Sequence, residues 1–161
     1  MKKSSTTGDI AIEDVTKWLQ TLPITLYVEN VELDKEYQQM DIDLIWHRKA
    51  MISLSIEVKG DNYNTTGNYF FETVSNSSKS TQGCFLYTQA KYLFYYFIYT
   101  RQLHILEMQK VKRWFINNQS RFMSKFPSTA INNGELYCSE GKIVPIHIVK
   151  REVGITKIIE I

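Results

Sequence analysis

The chain has 161 residues, 43% of them hydrophobic and 22% charged, the size and balance of one globular domain with its own core, which excludes a disordered polyelectrolyte. Its net charge of +2 conceals an asymmetry: nine acidic and two basic side chains lie between Asp9 and Asp43, but one acidic and eight basic between Lys79 and Lys125. The longest apolar run, Tyr92 to Tyr99, is too short to cross a bilayer, and the basic start, Met1 to Thr7, leads into no apolar stretch, so neither a membrane span nor a secretory leader is expected.

No repeat or Pro/Gly-rich linker interrupts the sequence, and one domain is expected over residues 1–161. Ile10, Val15, Trp18, Leu19 and Leu22 recur at helical spacing, with Asp9 as the expected N-cap and Pro23 as the stop. Ile24 to Val28 alternates as a strand does. Asp41 to Trp46 alternates too, with Asp41 and Asp43 on one face and Ile42, Leu44 and Trp46 on the other. After a break at His47, Arg48 and Lys49, Ile52 to Lys59 reads as a second strand ending at Gly60, and the two runs predict a hairpin.

A third strand is expected from Tyr69 to Val74, then a polar loop from Ser75 to Gly83. The run from Tyr92 to Tyr99 fits a buried strand or a helix core, and its aromatic content favours the strand. Thr100 to Gln102 turns it into Leu103 to Met108, after which Val111, Trp114, Phe115 and Phe122 predict a basic amphipathic helix. Short strand-like runs broken by glycines are expected from Leu136 to Ile161. The predicted class is α/β, a central mixed β-sheet flanked by helices.

The segment from Asp41 to Lys59 carries the most chemistry. Glu57 and Lys59 are two apart on a strand and project from one face, and a hairpin brings Asp43 towards them. Two carboxylates with water suit Mg2+, with Mn2+ as a substitute. A metal so held polarises a phosphate oxygen and lowers the pKa of an attacking water. Lys59 would orient that water or stabilise charge building on the phosphate. The plainer reading stays open here, because cross-strand Glu–Lys pairs stabilise many ordinary sheets.

Cys84 and Cys138 lack CxxC spacing and a nearby His, so neither a zinc site nor a redox pair is signalled, and a reduced cytoplasmic protein is the simpler expectation. An acidic segment followed by a basic one suits a protein that gathers cations in one place and phosphates in another. The expected phosphate contacts are Lys110, Lys112 and Arg113, with Lys91 and Lys79; an ordinary solvated helix face is the rival reading.

Asp43-Leu44-Ile45-Trp46 followed by Ile56-Glu57-Val58-Lys59-Gly60-Asp61 resembles the core signature of the PD-(D/E)xK nuclease superfamily, which includes restriction enzymes and Holliday-junction resolvases. Thr66 to Glu72, Thr88-Gln89-Ala90-Lys91-Tyr92 and Val144-Pro145-Ile146 are similar to segments of small phage and mobile-element members. The likeness runs from about Glu13 to Ile146, and its strongest part is the Glu-x-Lys core. Lys91 departs from the pattern, standing where an acidic residue is expected.

The resemblance implies a restriction-endonuclease-like fold and a Mg2+-dependent DNA endonuclease of homing, restriction or recombination type. It implies a metal bound by Asp43, Glu57 and the main-chain carbonyl of Val58, with Lys59 catalytic and Glu13 the candidate for a further ligand from the first helix. Asp41 is an alternative ligand beside them, and Glu72 either reaches the site from the third strand or pairs with a lysine across strands. DNA is then the partner, and a homodimer is expected, since cutting both strands with one site per chain calls for two copies. The alternatives are a DNA-binding module without chemistry and a structural protein of a virus or mobile element. The intact Asp43, Glu57 and Lys59 favour the enzyme.

Overall fold

The computed structural model describes residues 6–62, 65–76, 81–130 and 136–161. In chain order its elements are α1 (Thr7–Thr21), β1 (Thr25–Asn30), α2 (Lys35–Met40), β2 (Leu44–Arg48) and β3 (Ile52–Asp61). Next come β4 (Asn68–Asn76), β5 (Thr81–Gln82), α3 (Cys84–Tyr87), β6 (Tyr92–Phe97) and β7 (Gln102–Glu107). The rest are α4 (Met108–Asn118), β8 (Met123–Lys125), β9 (Ser128–Ala130), β10 (Leu136–Cys138), β11 (Glu140–Pro145), α5 (Ile146–Glu152) and β12 (Lys157–Glu160). The chain forms two compact units: Met1–Thr66 with Gln89–Gln109 and Ile155–Ile161, and Gly67–Thr88 with Lys110–Gly154.

The first unit holds a six-stranded sheet in the order β1-β2-β3-β6-β7-β12. Only the β3–β6 pairing is parallel, so the sheet is mixed, as expected. The expected hairpin is present, with Leu44 opposite Ile56 and Arg48 opposite Ile52. The aromatic run does form a strand, and Phe94, Tyr95, Tyr96 and Phe97 are all buried.

Helix α1 covers one face of this sheet. Ala11, Val15 and Leu19 recur every four residues on one stripe and join Leu44, Ile56, Val58, Phe94 and Tyr96 in one core cluster. Each fully buried Val or Leu contributes about 1.5–3 kcal/mol. The helix starts earlier than expected. Thr6 is the N-cap, and Asp9 completes a capping box: Asp9 N–H donates to Thr6 Oγ1 at 3.2 Å and Thr6 N–H to Asp9 Oδ2 at 2.9 Å. Gly60 lets the helix sit close, since a Cβ there would lie 2.7 Å from the Thr7 carbonyl oxygen and 2.9 Å from Ala11 Cβ.

One further expectation for this unit is corrected. Strand β2 begins at Leu44, so Asp41 and Asp43 precede it. Asp41 ends the short helix α2 in a left-handed conformation, φ 52° and ψ 58°. No residue of α2 is buried, so it leaves no apolar periodicity to read. Its start is set by Asp34, whose side chain accepts from Glu36 N–H at 2.9 Å.

The second unit holds an antiparallel sheet, β5-β4-β11-β8, and the pair β10-β9. Its aromatic core stacks Phe71 on Phe85 with centroids 4.1 Å apart, and Phe115 meets both edge-on at 5.4 and 5.1 Å. The basic helix is α4, with Val111 and Phe115 buried, while Phe122 lies beyond its end. Strand β4 extends to Asn76 and β5 pairs with it, so Ser75 to Gly83 is not all loop. The tail is also corrected: Ile146–Glu152 is a helix with Pro145 as its N-cap and Gly154 (φ +91°) just past its end. Its β-branched residues disguise it as strand. Cys84 and Cys138 are not joined by a disulfide. Among the described residues no helix is long and apolar enough to cross a membrane.

Candidate metal centre

Alternation along β3 turns Ile56 and Val58 towards α1 and leaves Glu57, Lys59 and Asp61 on the opposite face. One step before the β2–β3 ladder, Asp43 N–H donates to the Ile56 carbonyl oxygen at 3.0 Å. The Asp43 carboxylate then accepts from Val58 N–H at 2.8 Å. It supplies the acceptor that a strand carbonyl supplies elsewhere in the ladder, which pins it next to Glu57. Asp41 arrives from the end of α2. Aspartate is among the few residues that tolerate the left-handed region, and a carboxylate oxygen of Asp41 lies within 4.8 Å of one of Glu57.

The electrostatics follow from burial. Glu57 is 8% exposed. Its carboxyl is pushed well above the usual range, first by burial, then by the neighbouring Asp43 and Asp41 charges, with Lys59 pulling back. Asp43 is also raised by burial, offset in part by Val58 N–H and by a hydrogen bond from Glu57. Burial and its acidic neighbours therefore shift Glu57 towards its protonated form.

One oxygen of Glu57, Oε2, is buried with no hydrogen-bond partner among the described residues. A buried acceptor left this way costs about 1–3 kcal/mol. Oxygen donors on Asp41, Asp43 and Glu57, one of them buried and unmatched, fit a hard divalent cation.

The other sequence-derived residues fall in several places. Val58 is buried between Glu57 and Lys59, with its N–H committed to Asp43. Glu13 is exposed on α1, which covers the opposite face of β3, and it pairs with Lys17 at 2.5 Å. The fold does not gather it with the three carboxylates. Glu72 belongs to the second unit, opposite Gly141 in the β4–β11 pair. Lys91 is exposed just before β6, its N–H bonded to the Ser55 carbonyl oxygen at 3.0 Å.

On α4, Lys110 and Arg113 are exposed, whereas Lys112 is half-buried and donates to the Thr88 carbonyl oxygen at 2.5 Å. Lys79 lies outside the described residues.

Sequence reasoning missed Asp61. Tyr95 pairs with Lys59 in the β3–β6 register, is fully buried, and donates its hydroxyl to Asp61 Oδ2 at 2.7 Å. Extending the alternation of Glu57 and Lys59 by two residues was the signal available. In comparisons with known proteins, no family model, curated protein or solved structure matches this chain.

Proposed function

We propose that this protein is a metal-dependent phosphodiesterase acting on DNA, with a restriction-endonuclease-like arrangement of its sheet. The observation that carries the reading is Glu57. It is a buried carboxyl with an unmatched oxygen, set beside Asp43 and Asp41 on the sheet face that also bears Lys59. A structural Glu–Lys pair would place neither a bare oxygen nor three carboxylates together.

Asp43, Glu57 and Asp41 would hold Mg2+ or Mn2+, which supplies a polarised phosphate oxygen and an acidified water. Because Glu57 is shifted towards its protonated form, metal uptake should weaken as pH falls. The hydrogen bond from Val58 fixes Asp43 in place before any ligand arrives. The Lys59 ammonium, two residues from Glu57 on the same face, donates to a non-bridging phosphate oxygen as water adds to phosphorus and the ester oxygen leaves. Exposed Lys110 and Arg113 support a polyanionic substrate. A double-strand break would take two copies of the chain.

Incubation with supercoiled plasmid and with branched DNA, in Mg2+, Mn2+ or EDTA, tests the reading. Cleavage confined to the metal-containing reactions is expected. Cleavage that persists in EDTA, or none with either metal and either DNA, would contradict it.

A further inference from the structure

The second unit carries a surface groove of about 380 Å³ lined by Lys110, Arg113, Trp114, Asn117, Asn118, Glu152 and Val153. Its walls are built from several interlocking contacts. Trp114 Nε1 donates to Glu152 Oε2 at 3.0 Å, and Arg121 clasps the same carboxylate with both guanidinium nitrogens at 2.8 and 3.0 Å. Arg151 adds a third hold at 3.1 Å. Asn118 bridges inwards, its amide donating to the Trp114 carbonyl oxygen at 2.8 Å while its oxygen accepts from Arg121 at 2.8 Å.

These contacts, Arg121 first, hold the Glu152 carboxyl at about 2, so it stays ionised and charge-balanced. Around this single carboxylate stand Lys110, Arg113, Arg121 and Arg151. The groove thus joins a fixed indole, an exposed amide at Asn117 and an excess of positive charge.

We propose that this groove is a subsite for one unpaired nucleotide of a nucleic acid strand. The base stacks on Trp114, the Asn117 amide meets the base edge, and the flanking phosphates lie against Lys110 and Arg113. A volume of this size admits one base and its sugar, and stacking on an aromatic ring is open to every base because each has a π face. The inference rests on the nucleic-acid reading above and deepens it. The preferred substrate then carries an unpaired stretch (a flap, a junction or a single strand) instead of a continuous duplex.

The test is binding of a ten-nucleotide oligothymidylate, the same oligomer with abasic sites, and a blunt duplex, measured in EDTA so that cleavage plays no part. Wild type is expected to prefer oligothymidylate. W114L should weaken that binding about tenfold or more, whereas W114F keeps a ring without the Glu152 bond and should stay within a few-fold of wild type. Neither change should alter binding of the abasic oligomer, and N117A should weaken only the base-bearing one. R113A and K110A should each reduce the slope of log affinity against log salt by about 0.7.

Equal binding of oligothymidylate by W114L and wild type would overturn the proposal. So would tighter binding of the duplex, or equally tight and Trp114-dependent binding of polyglutamate. Trp114-dependent binding without any cleavage would sink the nuclease reading and leave the subsite standing. Cleavage with Trp114-independent binding would do the reverse.

Discussion

A carboxyl raised above its usual range by burial among like charges is a local weakness in the metal-free protein. The folded-state pKa of Glu57 lies above its unfolded value, so its stabilising effect is full below about pH 4.3 and is lost as pH rises towards the folded value. Glu57→Gln, measured in EDTA at pH 7, should therefore raise stability by more than the ~0.5 kcal/mol typical of neutral substitutions, and Mn2+ should no longer raise its Tm. A less stable variant in denaturant titration would show that Glu57 belongs to a structural ion pair.

His104 behaves oppositely. Burial lowers its pKa to about 4, so its contribution is present above about pH 6.5 and is lost as pH falls towards 4. His104→Gln should remove a loss of up to about 3 kcal/mol over that window, read as the difference between two stability–pH curves. At this scale the sequence was informative where alternation decides: Glu57 and Lys59 share one face of β3. It put Asp41 on a strand beside Asp43, whereas Asp41 ends α2 in a left-handed conformation that no periodicity reveals.

Elements built on strong periodicity were legible, and those built on caps and turns were not. The stripe of α1 and the alternation of β3 could be read from side chains alone. By contrast, α2 buries nothing, and α5 is rich in β-branched residues. The contact of α1 with β3 is tight enough to test. Gly60→Ala should cost about 1–3 kcal/mol by overpacking against Thr7 and Ala11, and an unchanged unfolding midpoint would contradict that packing. The turn joining β2 to β3 offers a gain instead. Ala50 and Met51 both have positive φ, 66° and 57°, and Met51 is 98% exposed. Met51→Gly should relieve about 1 kcal/mol, raising Tm with no change in metal binding.

For the whole molecule, charge order along the chain has a structural counterpart. The acidic stretch from Asp9 to Asp43 ends at the carboxylates of the first unit, while Lys110, Lys112, Arg113 and Arg121 belong to the second. The two-unit division was invisible in the sequence because each unit is assembled from separated stretches, with no linker between them.

On the proposed function, the carboxylates and Lys59 act together on a phosphodiester. Its most direct test is plasmid nicking by wild type and Lys59→Ala, side by side in saturating Mg2+, with metal affinity of both measured by calorimetry. Lys59→Ala is expected to bind metal within a few-fold of wild type but to nick at least about a hundredfold more slowly. Nicking by Lys59→Ala at the wild-type rate would contradict it and return Lys59 to the role of an ordinary sheet residue.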